Sequence, residues 1–167
     1  TFFNPPASMK TRIAASENGN AYERQTCVEL GFLQPDATDI GGLRTNLIWG
    51  EVHDGNSYFM NGVSGHAGLF STASETFEIA KQFLPATSTL LSDESCKLFR
   101  TNFTKGMNEP RSLGFQLASM PESTAGTRMS PGSFGHLGFT GTSLWIDPVR
   151  DRVFILLTNR THAHDLP

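Results

Sequence analysis

A short apolar run near the carboxyl end of the chain limits the fold more than any other sequence feature. Residues 153–157 read Val-Phe-Ile-Leu-Leu, and the Asp-Pro-Val-Arg-Asp sequence at 147–151 is typical of a turn. The run is far shorter than the roughly 20 residues that a membrane helix requires. Consecutive apolar residues without alternation are typical of a strand that is covered on both faces. We therefore expect a hairpin with strands at 138–146 and 152–158, and helices packed over both of its faces.

Two helices are predicted before this hairpin. Ser74 can cap a helix that runs to about Leu84, where Pro85 ends it. Ser92 can cap a second, shorter helix, whose first turn contains two acidic residues that suit the positive end of the helix dipole. The middle of the chain is therefore expected to supply the helices that cover the sheet.

The remaining segments have weaker patterns. Residues 113–117 have the pattern of a short strand, and residues 120–132 are rich in Pro, Ser, Thr and Gly, as loops are. Residues 1–50 contain prolines and turn clusters that interrupt any period before it extends. We expect irregular connecting structure over this first region.

Composition excludes several classes of protein. Of the 167 residues, 38% are hydrophobic and 17% are charged, which is too apolar and too weakly charged for a disordered chain. The 13 Lys and Arg residues are scattered and are outnumbered by 16 Asp and Glu, so no basic surface for nucleic acid is expected. Cys27 and Cys96 could form one disulfide, but ordinary thiols are the simpler interpretation in a chain of this size. The chain begins at Thr1 without a methionine, which we interpret as part of a longer protein.

Glycines and titratable side chains are interleaved in two segments, residues 50–73 and 134–148. Glycine weakens a strand, so Gly135, Gly138 and Gly141 require a physical reason. One reason is the close approach of a ligand, with main-chain N–H groups near Gly138 stabilising the oxyanion of a substrate carbonyl. The alternative is a bulged or twisted strand at a crowded place in the sheet.

Both segments resemble the serine β-lactamase-related family, which includes penicillin-binding-protein-like peptidases and esterases. Members carry a Ser-x-x-Lys, a Tyr-x-Asn and a Lys-Thr-Gly or His-x-Gly element. The third element is matched by His136-Leu137-Gly138. Further similar segments are Phe-Thr-Gly-Thr-Ser-Leu-Trp-Ile-Asp-Pro at 139–148, Leu-Leu-Thr-Asn-Arg at 156–160, Gly-His-Ala-Gly-Leu-Phe-Ser-Thr-Ala at 65–73, Val-His-Asp at 52–54 and Phe-Asn-Pro at 3–5.

The resemblance implies an α/β fold of the α+β type, with an antiparallel sheet flanked by helices. It also implies that residues 1–167 are the C-terminal portion of one such domain. Within this portion we divide the chain into a connecting region at 1–50, a Gly-rich segment with helices at 51–112 and sheet strands at 113–162. A periplasmic, secreted or membrane-anchored parent protein is what the family suggests.

Two of the three family elements are absent from the sequence. No serine has a lysine three positions later, and neither Tyr22 nor Tyr58 is followed by asparagine at the second position. The resemblance therefore implies that the nucleophile, its lysine and the tyrosine lie in a missing N-terminal part of the same domain. The whole protein is expected to act on ester, amide or peptide bonds through an acyl-enzyme, and this chain alone is expected to be inactive.

The resemblance also assigns roles to residues of this chain. His136 takes the position of the Lys in Lys-Thr-Gly, and a histidine there attracts a substrate carboxylate less than a lysine would, which favours esters or neutral amides over β-lactams. The Phe139 main-chain N–H is one expected oxyanion donor. The other expected substrate-binding residues are Gly138, Thr140, Gly141, Thr142 and His66. The substrate would be a small molecule or a peptide, and no cofactor or metal is implied.

Other interpretations remain open. A structural histidine held by hydrogen bonds is an alternative for His66, and a structural pair is favoured for His53 and Asp54. A metal-dependent hydrolase could use five residues, His53, Asp54, His66, His162 and His164, although their spacing matches no zinc pattern. A non-catalytic binding module, or a degenerate relative without the serine, is a further alternative.

Overall fold

The computed structural model describes residues 1–38 and 42–162. Their contacts divide into two compact units, which we describe separately. The first unit contains Thr1–Ser71 and Thr158–Pro167, and the second contains Thr72–Leu157. Within the described ranges, no helix has both the length and the apolar character needed to cross a membrane.

The first unit is built from short elements. Strand β1 pairs antiparallel with β4, and β2 pairs antiparallel with β3, so that Glu17 lies opposite Ile48. A 3-10 helix at Ala7–Arg12 follows β1, and another at Arg160–His162 returns beside β2, where the Thr161 hydroxyl donates to the Ser16 carbonyl at 2.8 Å. The elements are β1 Phe2–Phe3, β2 Glu17–Asn18, α1 Ala21–Glu29, β3 Leu47–Ile48, α2 Gly55–Phe59 and β4 Leu69–Phe70.

The second unit contains an antiparallel sheet of four strands in the order β5-β6-β7-β8. Two helices precede the sheet, and a 3-10 turn at Lys81–Phe83 extends the first of them. The elements are α3 Ala73–Ala80, α4 Asp93–Leu98, β5 Gln116–Leu117, β6 Phe134–Leu137, β7 Ser143–Asp147 and β8 Arg152–Leu156. Helices and antiparallel strands together give the chain an α+β fold, as the sequence predicted.

The core of the second unit lies between the sheet and the segment that contains α3. Phe134 on β6 and Ile146 on β7 lie directly opposite each other and are fully buried. Ala80 and Leu84 pack against them from the helical segment. Burial of aliphatic and aromatic side chains of this size is the main stabilising contribution to such a unit. Three further aromatic rings meet edge to face beside this core, Phe83, Phe99 and Phe115.

The helix boundaries agree with the sequence at one helix and differ at the other. The Ser92 hydroxyl accepts from the Ser95 amide and caps α4, as predicted. Helix α3 begins two residues earlier than expected. Thr72, and not Ser74, has the extended backbone of an N-cap, and its hydroxyl accepts from the Glu75 amide. Both side chains are chemically suitable caps, so the backbone path at residue 72 decides between them.

Helix α1 is an element that the hydrophobic pattern did not predict. It spans nine residues, Ala21–Glu29, and none of them is buried. A helix without an apolar face has no 3.6-residue period to detect. Its start is held by the Tyr22 amide, which donates to the buried Glu17 carboxylate at 2.8 Å. The contact that positions the helix therefore comes from β2, outside the helix itself.

The expectation of a fully covered terminal strand is wrong for the described residues. Along β8, Val153 and Ile155 are partly buried, whereas Phe154 and Leu156 are 49% and 56% exposed. Successive side chains of a strand point to opposite faces, so helix α3 covers one face of β8 alone. The predicted strand at 138–146 is also wrong over its first half, since residues 138–142 form the connection between β6 and β7.

Candidate active site

The loop between β6 and β7 contains five of the predicted substrate-binding residues, Gly138, Phe139, Thr140, Gly141 and Thr142. The Gly138 amide donates to the Thr142 carbonyl at 2.7 Å, and the Gly141 amide donates to the Gly138 carbonyl at 3.0 Å. Gly141 has a φ of 99°, a backbone conformation that favours glycine. A Cβ at Gly138 would overlap the Thr142 hydroxyl. The turn therefore favours glycine at 141 through its backbone conformation, whereas a Cβ at 138 would force the Thr142 side chain to move. The role of both glycines toward a substrate stays a prediction.

Gly135 has a different structural reason. It lies on β6 opposite Trp145, whose indole ring passes across it. A Cβ at this position would be 2.5 Å from Trp145 Cδ2 and would also overlap the Leu144 carbonyl. The close neighbours at Gly135 are thus the Leu144 carbonyl and the Trp145 ring of the adjacent strand, which corresponds to the crowded-strand alternative of the sequence analysis.

His136 is exposed on the inner strand β6, beside this loop. Its Nδ1 lies 2.7 Å from the Leu137 carbonyl oxygen, and its Nε2 lies 3.4 Å from Nη1 of Arg111. A carbonyl oxygen can only accept, and a guanidinium can only donate. In a neutral imidazole, both contacts are satisfied when Nδ1 carries the proton and Nε2 carries the lone pair.

Arg111 was not identified from the sequence. Its backbone is held by the Thr104 hydroxyl, which accepts from the Arg111 amide at 2.8 Å, and by a bridge to Gln116. Gln116 in turn pairs with Gly135, the neighbour of His136. Strand register therefore brings residue 111 beside residue 136. Neither its residue type nor its spacing in the sequence distinguishes this arginine from the other scattered basic residues.

His66 lies in the first unit, and its imidazole is 54% exposed. Its Nε2 is 3.1 Å from Oδ1 of Asp54, which also accepts from the Ser57 amide at 2.7 Å and so caps α2. Burial raises the pKa of the Asp54 carboxyl, but hydrogen bonds from Ser57 and His66 outweigh it, and the net pKa is below the ordinary value. The position of His66 at a substrate pocket stays a prediction.

His53 and Asp54 are adjacent in sequence but have different partners. His53 Nε2 is 2.6 Å from Oε2 of Glu17, and both side chains are almost completely buried. The same buried group includes Arg44, which donates to the carbonyl oxygens of Val52 and His53. Buried charged groups are stable only when paired in this way. These contacts connect β2 to the segment before α2, which is a structural role.

The metal-binding alternative receives no support from the described residues. Within residues 1–38 and 42–162, no group of three or more His, Cys, Asp or Glu side chains is arranged to hold a metal ion. The exposed His162 ends the last 3-10 helix, and His164 lies outside the described residues. Cys27 and Cys96 both carry free thiols.

The α+β fold and the His-x-Gly strand are accompanied by similarity over the whole sequence. The sequence profile of the family described as Beta-lactamase matches residues 1–167. This chain belongs to that family.

Several curated relatives of this chain share one name. A protein of Escherichia coli (strain K12) named "Putative D-alanyl-D-alanine carboxypeptidase" is 33% identical over 174 residues, which cover 98% of this chain and 37% of that protein. The protein of the same name from Escherichia coli O157:H7 is 34% identical, with the same coverage. One from Salmonella paratyphi B is 37% identical over 131 residues, which cover 72% of this chain and 29% of the relative. The chain thus spans well under half the length of these relatives.

Proposed function

We propose that this chain is part of a serine hydrolase that cleaves an ester, amide or peptide bond through an acyl-enzyme. The observation that carries the proposal is His136, which is exposed in a His-x-Gly sequence on an inner strand, shortly before a loop rich in Gly and Thr. Membership of the Beta-lactamase family and the names of the relatives support the same reaction class. The substrate would be a small molecule or a peptide.

Acyl transfer needs a nucleophile that these residues do not supply, because the sequence contains no Ser-x-x-Lys. We place the serine, its lysine and the tyrosine in a part of the parent protein that precedes this chain. The serine Oγ would bond to the substrate carbonyl carbon while its proton passes to the lysine and tyrosine. The leaving group would depart with a proton, and water would then cleave the acyl ester and restore the serine hydroxyl.

The present chain would contribute one wall of the site. The lone pair on His136 Nε2 is available to accept a hydrogen bond from the substrate or from the tyrosine hydroxyl when the Arg111 contact at 3.4 Å is exchanged. The Phe139 main-chain N–H would stabilise the oxyanion of the tetrahedral intermediate. Gly138, Thr140, Gly141 and Thr142 would line the groove beside it.

Covalent labelling tests the proposed function. The full-length protein is expected to be labelled by a fluorophosphonate or a penicillin probe, and the 167-residue chain alone is expected not to be labelled. Labelling of the isolated chain would show that a nucleophile lies within these 167 residues and not upstream of them. Absence of labelling in the full-length protein, together with absence of Ser-x-x-Lys upstream, would favour the non-catalytic alternative.

Substitution of His136 tests its role in the site. His136→Ala in the full-length protein is expected to lower kcat/KM by about ten-fold or more, the low end of the cost of removing one positioned polar group. The exposed His162→Ala is the matched control and is expected to leave kcat/KM unchanged, whereas a metal-dependent reaction through His162 would lose activity. An unchanged kcat/KM in His136→Ala would remove this residue from the site.

A further inference from the structure

The first unit contains a solvent-accessible cavity of about 470 Å³ beside helix α2. This volume is within the range of cavities that bind small molecules. Two aromatic rings, one carboxylate and one side-chain amide share the same space. The lining includes Asn4, Glu51, Val52, Tyr58, Phe59 and Gly62.

Three polar atoms of the lining have no hydrogen-bond partner in the described part of the chain. They are Oε2 of Glu51, Oδ1 of Asn4 and the Tyr58 hydroxyl. The Asn4 amide is fixed, because its Nδ2 donates to the Asn61 carbonyl at 2.7 Å, and a Cβ at Gly62 would overlap its Oδ1. A carboxylate or amide oxygen can only accept, so a ligand for this cavity must supply hydrogen-bond donors.

The aromatic part of the lining offers an apolar surface. The Phe59 side chain is 66% exposed, and its ring meets the Tyr58 ring edge to face with centroids 6.1 Å apart. Its position is also limited by Gly42, where an added Cβ would be 2.7 Å from Phe59 Cζ. The face of an aromatic ring is partly negative and attracts C–H groups. An exposed ring beside acceptor atoms therefore suits a ligand that has both an apolar face and hydroxyl donors.

The charges around the cavity favour a neutral ligand. The Glu51 carboxylate disfavours an anion. It is already opposed by the buried Arg44, whose Nη1 is 3.7 Å from Glu51 Oε1 and whose guanidinium carbon is 4.3 Å from the Tyr58 ring centroid. A cation would find the Tyr58 face covered by this guanidinium and would be repelled by its charge.

We propose that this cavity is a binding site for a neutral carbohydrate. A sugar ring has hydroxyl donors around its edge and C–H groups on its faces. Its hydroxyls would donate to Glu51 Oε2 and Asn4 Oδ1, while one face stacks on Phe59. The inference goes beyond the proposed function, because binding of a sugar here requires no serine nucleophile and no hydrolysis.

Three sugars with the same ring and different charge test the proposal on the full-length protein. Glucose is neutral, glucosamine is cationic at about pH 6, and glucuronate is anionic at that pH. Ligand-detected NMR titrations give the dissociation constant of each sugar. Glucose is expected to bind at least about five-fold more tightly than either charged sugar, because Glu51 opposes the anion and Arg44 opposes the cation.

Two substitutions test the assigned contacts. Phe59→Ala is expected to weaken glucose binding about five-fold, through loss of ring stacking, whereas Phe59→Tyr keeps a ring and should stay within about two-fold of the native affinity. Glu51→Gln is expected to weaken glucose binding about five-fold or more, because a charged acceptor is lost. It should also remove the disadvantage of glucuronate, since the Arg44 charge is then unopposed.

Two exposed residues of the first unit provide matched controls. Phe32 follows α1 and is 79% exposed, and Glu29 is exposed at the end of α1. Neither is among the residues that line the cavity. Phe32→Ala and Glu29→Gln should therefore leave the affinity for all three sugars unchanged.

The outcomes are read from binding alone, so a failure here is distinct from a failure of covalent labelling. Selective binding of glucose that is lost in Phe59→Ala, retained in Phe59→Tyr and unaffected in both controls supports the inference. Absence of glucose binding to the native full-length protein overturns it. Tighter binding of glucosamine or glucuronate than of glucose, or native glucose affinity in Phe59→Ala, overturns it as well.

Discussion

Replacing Asp147 by asparagine perturbs the end of β7 at a single buried carboxylate. Asp147 is 1% exposed and accepts five hydrogen bonds. Its Oδ2 accepts from the amide and hydroxyl of Ser130 and from Nη1 of Arg150, at 3.0 to 3.1 Å. Its Oδ1 accepts from the amides of Val149 and Arg150, both at 3.1 Å. All five partners are donors, so the amino group of an asparagine must face donors on one side.

The expected cost follows from which donors lose their acceptor. The amides of Val149 and Arg150 lie in an exposed turn and can bind water, whereas Ser130 is buried. An asparagine that keeps its oxygen toward Ser130 loses the charge and the turn contacts, which should cost about 2 kcal/mol, within the range for hydrogen bonds to a charged group. Asp147→Ala also leaves the buried Ser130 amide without its acceptor and should cost about 4 kcal/mol.

The pH dependence gives a second, independent expectation. Burial raises the pKa of the Asp147 carboxyl, but hydrogen bonds from Ser130 and Arg150 lower it by a larger amount. The resulting pKa is well below the ordinary value of 3.8. A carboxyl whose pKa is lowered in the folded state stabilises the fold above the unfolded pKa and loses that contribution as pH falls toward the folded pKa. The deficit of Asp147→Asn should therefore shrink by about 1 kcal/mol between pH 7 and pH 3.

The measurement is the free energy of unfolding of residues 143–156, obtained from the urea dependence of amide hydrogen exchange. Asp151→Asn is the matched control, because Asp151 is exposed in the same turn and has a positive φ of 53° that asparagine tolerates. It should change the free energy by less than about 0.5 kcal/mol. A deficit below that value for Asp147→Asn at pH 7, or an equal deficit at pH 7 and pH 3, would refute the reasoning.

Two other perturbations test the packing and the buried charges. Gly135→Ala should destabilise the second unit by about 3 kcal/mol or more, because the added Cβ meets the Trp145 ring and a main-chain carbonyl, whereas Gly132→Ala, with open space around it, should have little effect; equal urea midpoints for the two variants would contradict this. Glu17→Ala should lower the stability of the first unit by about 3 kcal/mol, because it removes the buried carboxylate that contacts His53 Nε2 and accepts from the Tyr22 amide. Hydrogen exchange of residues 47–57 measures this loss, and unchanged protection there would show that the pair is not stabilising.

Local signals predicted much of the second unit. The turn at 147–151, the capping serine of α4 and the apolar residues of β7 and β8 act over a few residues, so they are visible in the sequence. The missed helix α1 has no apolar face, and its start depends on Glu17 in β2. The misplaced start of β7 has a similar origin, since the Gly138 to Thr142 hydrogen bond closes a loop where the strand was expected to begin.

The same distinction between local sequence signals and tertiary contacts applies to the candidate site. The sequence by itself determined the family, the α+β class and the His-x-Gly element at His136, because these depend on the order of residues within short segments and on the order of those segments along the chain. Only the tertiary structure decided which groups touch that element. Arg111 reaches His136 through the pairing of Gln116 with Gly135, and Trp145 explains Gly135 by lying across it. Contacts of this kind join residues far apart in the chain, and they are set by strand register and packing, which no local pattern encodes.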